Sequence, residues 1–351
     1  MIRKLAILFI LLILFIFLQW KSPVKSRINT ISDQTGAVSN PGFPTLDRIF
    51  NSEHKWKTAL PAGRVRTIIA TGDIIPARSV NFEVFRRQDF NWPYRLTYQV
   101  TQSADITFAN LESPEIKKCP LTNEGMIFCG DYRNIEGLKF AGIDVVSLAN
   151  NHAGNFGEEG IKETVGHLKN AGIESTGTAL SNLVIKNIRG VRFAFLGFND
   201  ISKDQPGISN VDEEKIKTEI AEAKKLSEVV IVAMHWGAEY KDRPDDRQKY
   251  LGHLAVDSGA DLVIGNHPHW IQPVEIYKDK LITYAHGNFV FDQEWSQKTK
   301  EGVIGKYIFF DTQLIDVEFL PVQIENFGQP GLLTGYKKKL ILKNMKNAGL
   351  Q

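Results

Sequence analysis

Asp261-Leu-Val-Ile-Gly265-Asn266-His267-Pro268-His269 is a short apolar run that stops abruptly in residues able to hold a metal or a phosphate. Val, Ile and Leu bounded by Gly, Asn and Pro read as a strand and the turn that ends it. Turns favour Gly, Pro, Asn, Asp and Ser, and have no special need of His. The same design recurs along the chain. Val65-Arg-Thr-Ile-Ile-Ala-Thr ends in Gly72-Asp73, Asp105-Ile-Thr-Phe-Ala in Asn110-Leu111-Glu112, and Ile143-Asp-Val-Val-Ser-Leu-Ala in Asn150-Asn151-His152. Val229-Val-Ile-Val-Ala-Met ends in His235-Trp236-Gly237, and Leu281-Ile-Thr-Tyr-Ala in His286-Gly287-Asn288. One such end is weak evidence, because a lone Gly-Asp is usually a turn and a lone Asn-His usually caps or packs. Together they gather His152, His235, His267 and His269, four of the chain's eight histidines, and His286 makes a fifth.

Longer mixed segments separate these runs and read as helices. Glu158 to Ala171 and Asp212 to Ser227 are the clearest; Asp212 can cap the second, with Glu213, Glu214, Lys224 and Lys225 complementing its dipole. Strand and helix in alternation predict an α/β domain with a largely parallel sheet. In such sheets ligands collect beyond the carboxyl ends of the strands, so the strand ends would build one shared site. Its donors are mixed imidazole and oxygen, which suits one or two divalent ions of Mn, Fe or Zn and does not suit calcium or an all-thiolate site. A carboxylate such as Glu112 can bridge two ions, and a close pair of ions can clamp a phosphoryl group. His152, directly after Asn151, would be placed to protonate a leaving oxygen.

The 351 residues are 43% hydrophobic and 23% charged, which is globular usage. Forty-two Lys and Arg against 40 Asp and Glu leave a net charge of +2, which gives no support for bulk nucleic-acid binding. The amino terminus is different in kind. Residues 1–4 carry two positive side chains, Arg3 and Lys4, and Leu5 to Phe17 is wholly apolar, closed by Leu18, Gln19 and Trp20. That is the pattern of an uncleaved signal anchor, residues 5–20, with the body outside the membrane; a cleaved signal peptide is the alternative. Residues 21–62 read as a stalk with one short helix near Leu46 to His54, 63–325 as the folded domain, and 326–351 as a basic tail. The five lysines between Tyr336 and Lys346 suit a solvated terminal strand or helix. Outside the membrane, Cys119 and Cys129 would form a disulfide closing a small loop; two free buried thiols are the alternative.

The ordered set Gly72-Asp73, Asn110-Leu111-Glu112, Asn150-Asn151-His152, His235-Trp236-Gly237-x-Glu239-Tyr240, Gly265-x-His267-Pro268-His269 and Gly287-Asn288-Phe289 resembles the bacterial CapA family of capsule and poly-γ-glutamate biosynthesis. That family is similar to the calcineurin-like metallophosphatases. The match runs from about Val65 to Val322. The resemblance implies a four-layer α/β/β/α sandwich with two mixed sheets. It implies that Asp73 and His269 ligate a first metal, that Glu112 bridges, and that Asn151, His235 and His267 serve a second. His152 would be the acid or phosphate-contacting histidine, beside Asn150. Glu239 would orient His235; its alternative is a surface carboxylate.

The chain also departs from the wider pattern. Asp73-Ile74-Ile75 lacks the histidine of Asp-x-His, so one firmly held ion and one looser ion are expected. Asn155 stands where many relatives carry Asp. His286, Asn288, Asn110 and Arg78 are possible additional contacts, with strand-end packing an equal reading for His286 and a solvated one favoured for Arg78. Trp236, Tyr240 and Trp270 either wall a cleft or belong to the core. The function implied is that of a membrane-anchored extracytoplasmic phosphoesterase-type hydrolase acting in synthesis, export or attachment of an anionic polymer, with polymer, phosphoester and a polyglutamate synthase as partners. A non-catalytic subunit that binds polymer or synthase, and a secreted nucleotidase-like phosphatase, are the alternatives.

Overall fold

The computed structural model describes residues 42–54, 60–202 and 205–347. The n-region, the anchor segment and most of the stalk lie outside the described residues. Among the described residues no helix is long and apolar enough to cross a membrane.

In chain order the elements are α1 (Leu46–Asn51), β1 (Val65–Ile74), α2 (Arg78–Arg87), α3 (Tyr98–Thr101), β2 (Ile106–Leu111), β3 (Glu115–Ile116), β4 (Gly130–Asp131), α4 (Asn134–Phe140), β5 (Val145–Ser147), α5 (Gly157–Ala171) and β6 (Glu174–Thr176). There follow β7 (Val184–Ile188), β8 (Val191–Asn199), α6 (Glu213–Leu226), β9 (Val229–His235), α7 (Asp246–Asp257), β10 (Leu262–Asn266), β11 (Val274–Tyr277), β12 (Lys280–Thr283), β13 (Asn288–Val290), β14 (Glu301–Phe310), β15 (Gln313–Glu325), β16 (Gln329–Leu332) and α8 (Gly335–Asn347).

The strands form two mixed sheets. The first has the order β16-β15-β14-β1-β2-β5-β6, with β13 also pairing β1; the second has the order β11-β12-β10-β9-β8-β7. The largely parallel reading holds for part of each, and the mixed sheets that the resemblance implies are what the strands form. β1, β2, β5 and β6 run parallel, whereas β14, β15 and β16 form an antiparallel meander on β1. Tight turns join those last strands, and only an antiparallel pair can be closed by so short a link.

Side-chain alternation sets the layers. Successive residues of a strand face opposite ways, so Ile68, Phe108, Phe195 and Ile231 point between the two sheets while their neighbours Ile69, Ala109, Leu196 and Val230 point outward. Rings from the two sheets meet across the inner core: Phe108 stacks on Phe195 at 5.7 Å, and Phe193 meets Phe309 edge-on at 5.3 Å. The outer face of the first sheet packs on Leu138 of α4 and on Ile161 and Leu168 of α5. The outer face of the second packs on Ile216 and Ile220 of α6 and on Leu251 and Ala255 of α7. Burial on both faces is why these strands read as continuous apolar runs. Asp212 caps α6 by accepting the Lys215 N–H at 2.8 Å.

Residues 326–347 carry the last strand of the first sheet and a helix whose Ile341 and Met345 are buried in the core between the sheets, beside Ile49 of α1. The lysine-rich segment therefore has an apolar side built into the body. Cys119 and Cys129 are joined by a disulfide that closes the loop between β3 and β4.

Candidate metal centre

Asp73 ends β1, Asn110 and Glu112 end β2, and Asn150, Asn151 and His152 follow β5, all in the first sheet. His235 ends β9, while His267 and His269 follow β10, in the second. The chain after β12 crosses over and delivers Asn288 to the first sheet, directly opposite Asp73. That crossing explains two glycines. A Cβ on Gly72 would run into the Gly287 carbonyl, which accepts the Asp73 N–H at 2.9 Å. Gly287 itself has φ +70°, a left-handed conformation that costs glycine nothing.

Asp73, Glu112, His235, His267 and His269 are all buried. Their ligand atoms form groups within 4.8 Å of one another: Asp73 with Glu112 and His269, and Glu112 with His235 and His267. The shared member is Glu112. Asn151 Oδ1 lies 2.7 Å from His235 Nε2, so it joins the second group. Behind them runs an amide network. Asn110 Nδ2 donates to Asp73 at 2.8 Å and to Glu112 at 3.3 Å, and Asn150 Nδ2 donates to Asn110 Oδ1 at 3.1 Å. Asn150 Oδ1 accepts the backbone N–H of His152 and of Ala153 at 3.2 and 2.7 Å, which fixes the turn that presents His152. On the other side Asn288 Oδ1 lies 2.9 Å from His269 Nδ1, and Asp73 lies 3.1 Å from the same atom.

Burial dominates the electrostatics. It pushes His152 down to about 4 and His235 down to about 3, and holds His267 well below the usual imidazole range. Burial, with the Asp73 charge beside it, lifts Glu112 well above the usual carboxylate range. His269 goes the other way. Burial lowers it, but its hydrogen bond to Asp73 and the charges of Glu112 and Asp73 win and raise it to about 9. Burial likewise opposes ionisation of Asp73, and the contact with His269 outweighs it. Uncharged imidazole is the form that ligates a metal. Glu112 Oε1 and His267 Nδ1 are buried without a hydrogen-bond partner, a costly state for polar atoms in a core. Two unpartnered atoms inside one cluster of carboxylates and imidazoles fit divalent metal ions. His267 and His269 also hold left-handed backbone, at φ 99° and 57°, strain of the kind that collects at functional sites.

His152 stands at the edge of this cluster. Its ring packs on Phe128 at 4.2 Å, and its Nδ1 lies 3.0 Å from Asn155 Oδ1, which also accepts the Phe128 N–H at 2.7 Å. A backbone N–H can only donate and an amide oxygen can only accept. His152 Nδ1 therefore carries the hydrogen, and Nε2 is left free. Phe128 had no mark in the sequence beyond its place before Cys129.

Several expected contacts fall elsewhere. His286 lies outside the ligand groups: its Nε2 is 2.8 Å from Tyr307 Oη, toward the core between the sheets, at the point where the chain crosses from β12 to β13. Glu239 groups with His267 and His269, while His235 is oriented by Asn151 and Asn110. Arg78 is no free surface group; it pairs with Asp292 and lies over the rings of Phe128 and Phe291, one layer behind His152 and His269. Trp236 is core, its Nε1 donating to Tyr284 O at 2.8 Å. Tyr240 does border the centre, with its ring 6.3 Å from His269, 6.2 Å from Trp270 and 4.8 Å from the exposed Trp295.

Two face-to-face mixed sheets with a His, Asp, Glu and Asn cluster at their shared end define a calcineurin-like metallophosphatase fold. A solved phosphatase from Mycoplasma pneumoniae matches it with a TM-score of 0.51 at 11% identity, over 74% of this chain and 94% of that one. The family model for bacterial capsule synthesis protein PGA_cap matches residues 67–293, and the chain belongs to that family. The chain is 31% identical over 288 residues to the capsule biosynthesis protein CapA of Bacillus anthracis, covering 76% of this chain and 69% of that protein. It is 31% identical over 290 residues to the PGA biosynthesis protein CapA of Bacillus subtilis, covering 78% and 76%. A probable polyglutamine synthesis accessory protein of Mycobacterium tuberculosis is 27% identical over 256 residues, covering 64% and 66%.

Proposed function

We propose that this protein is a divalent-metal-dependent hydrolase of the phosphoesterase type that acts in making, exporting or attaching a capsule polymer of the poly-γ-glutamate kind. The observation that carries the proposal is the pair of buried ligand groups that share Glu112, with Glu112 Oε1 and His267 Nδ1 unpartnered inside them. Asp73, Glu112 and His269 would hold one ion, and Glu112, Asn151, His235 and His267 the other. Such ions, of Mn, Fe or Zn, polarise a phosphoryl oxygen and lower the pKa of an attacking water. The protein's own share is positional. Asn110 and Asn150 hold the carboxylates and the His152 turn in place. His152, with its Nδ1 hydrogen committed to Asn155, has a lone pair at Nε2 that would take a proton from an attacking water and pass it to the leaving oxygen. Tyr240 and Trp295 offer an aromatic wall to the substrate. The apolar run at residues 5–20 supports attachment to the membrane with this domain outside it, beside the synthase and the growing polymer.

One observation favours a second reading, an accessory subunit that binds polymer or synthase without turnover. Ile75 stands where the wider phosphatase pattern has a histidine, and it is fully buried beside Phe128 and Phe291. The first ion therefore lacks one imidazole.

Elemental analysis of protein purified without chelator separates these readings, followed by a screen of phosphoesters and polyglutamate. One or two equivalents of metal, lost in the D73A/H235A double variant, with hydrolysis that needs the metal, is the expected result. Retained metal with no turnover on either substrate class would favour the accessory subunit. A double variant that kept its full metal content would overturn the metal assignment itself.

A further inference from the structure

Glu239 is the one member of the cluster that the two ligand groups leave over. Its carboxylate forms a third group with His267 and His269, within the same 4.8 Å. Each pair of the three groups shares one residue: Glu112 joins the first two, His269 joins the first to the third, and His267 joins the second to the third. Glu239 thus faces one histidine from each proposed ion. It is half-buried, while Asp73, Glu112 and the three histidines are buried, so it lies on the open side of the centre.

The backbone is built to put it there. Gly237 and Tyr240 both hold left-handed conformations, at φ 80° and 61°, which fold the segment after β9 back on itself. The Trp236 N–H donates to Asn266 O at 3.2 Å and the Tyr240 N–H to Pro268 O at 2.8 Å. Those two bonds pin the turn carrying Glu239 to the loop carrying His267 and His269. A Cβ on Gly237 would overlap the Gln248 side chain, so the tight turn is also sterically enforced. A surface carboxylate would not need this scaffold.

We infer that Glu239 is a further metal ligand, a second carboxylate shared between the two ions from the open side, supplying the donor that Ile75 does not. The inference rests on the metal-centre reading above. It assigns the looser ion's retention to Glu239, and it makes the carboxylate charge, not only the side chain's volume, the quantity that matters.

The test is Mn²⁺ binding to the full chain and to E239Q, E239A and E239D, by calorimetry and by electron paramagnetic resonance of the bound Mn²⁺. Thermal unfolding with and without Mn²⁺ accompanies it, because an ion that binds only the folded state raises the melting temperature. The wild type is expected to take up two equivalents with the spectrum of a coupled pair. E239Q and E239A should keep one equivalent, bind the second at least about tenfold more weakly, and lose the coupled spectrum. Their melting temperatures without metal should match the wild type, and E239D should recover part of the second site. An E239Q protein that bound two equivalents with wild-type affinity would overturn the role of Glu239 while leaving the metal centre intact. A wild type that bound no ion would overturn both.

Discussion

Replacing Asn155 with Ala tests how His152 is held. Asn155 Oδ1 accepts two hydrogen bonds, from the Phe128 N–H at 2.7 Å and from His152 Nδ1 at 3.0 Å. Phe128 is 1% exposed, so its N–H loses its acceptor in a place water does not readily reach. An orphaned buried donor costs about 1–3 kcal/mol, and the lost imidazole bond adds about 1 kcal/mol. The sum, about 2–4 kcal/mol, corresponds to a fall in melting temperature of about 4–8 °C for a domain of this size. N155D keeps an acceptor at the same point and should stay within about 1 kcal/mol of the wild type. Thermal unfolding reads the stability, and nitrogen-15 NMR of the histidine side chains reads the tautomer. In the wild type the His152 resonances should show hydrogen on Nδ1; in N155A the ring should exchange between tautomers. An N155A protein as stable as the wild type, with His152 still protonated on Nδ1, would refute the reasoning. So would a wild type with the hydrogen on Nε2.

Reduction of the Cys119–Cys129 disulfide, or the C119S/C129S pair, frees a loop spanning ten positions and should cost about 3 kcal/mol on the loop-entropy estimate; chemical denaturation with and without reductant measures it, and an unchanged midpoint would count against a structural role. His54 contacts Asp316 at 2.9 Å, and although burial lowers its pKa, the hydrogen bond and charge of Asp316 prevail and raise it above the ordinary 6.5. That contribution is complete below the unfolded value and is lost as pH rises through the folded one, so H54Q should be less stable than the wild type at pH 5.5 and equal to it at high pH; a difference that grew with pH would reverse the assignment. G72A should lose about 1–3 kcal/mol, because a Cβ there collides with the Gly287 carbonyl and the backbone must give way. It should also lose metal, although no ligand has changed, since the shift opens the pairing of Asp73 with Asn288; metal content equal to the wild type would show that this register is not needed.

The strand ends were legible because a strand buried on both faces writes itself as an unbroken apolar run, and a break into Asp, Glu, Asn or His is then conspicuous. Asp73, Glu112, His235, His267 and His269 all stand where that break put them. The helix from Gly157 to Ala171 and the Asp212 cap were legible for the same kind of local reason. His286 was not. Its run breaks like the others, but the chain is already crossing between the sheets there, and the ring turns toward Tyr307. Arg78 looked like a solvated charge because its partner, Asp292, lies 214 positions away. Glu239 read as a neighbour of His235 because they are close in sequence, whereas the left-handed turn at Gly237 and Tyr240 carries it to His267 and His269.

Sequence alone determined the α/β class, the apolar amino-terminal run, the ordered motifs that mark the family, and which side chains end the strands. Those features are local, written in the two-residue period of a strand and in the chemistry of the residue that ends it. Only the tertiary structure decided which strand ends meet. Asp73 and His267 are 194 positions apart, and the His267 N–H reaches the Asp73 carboxylate only because two sheets pack face to face. The sharing of Glu112, the bond that ties the Phe128 N–H to Asn155, and the return of Glu239 over the cluster are contacts between segments whose separate sequences contain no record of one another. They exist because packing of the inner core, Phe108 on Phe195 and Phe193 against Phe309, brings the two sheets into register.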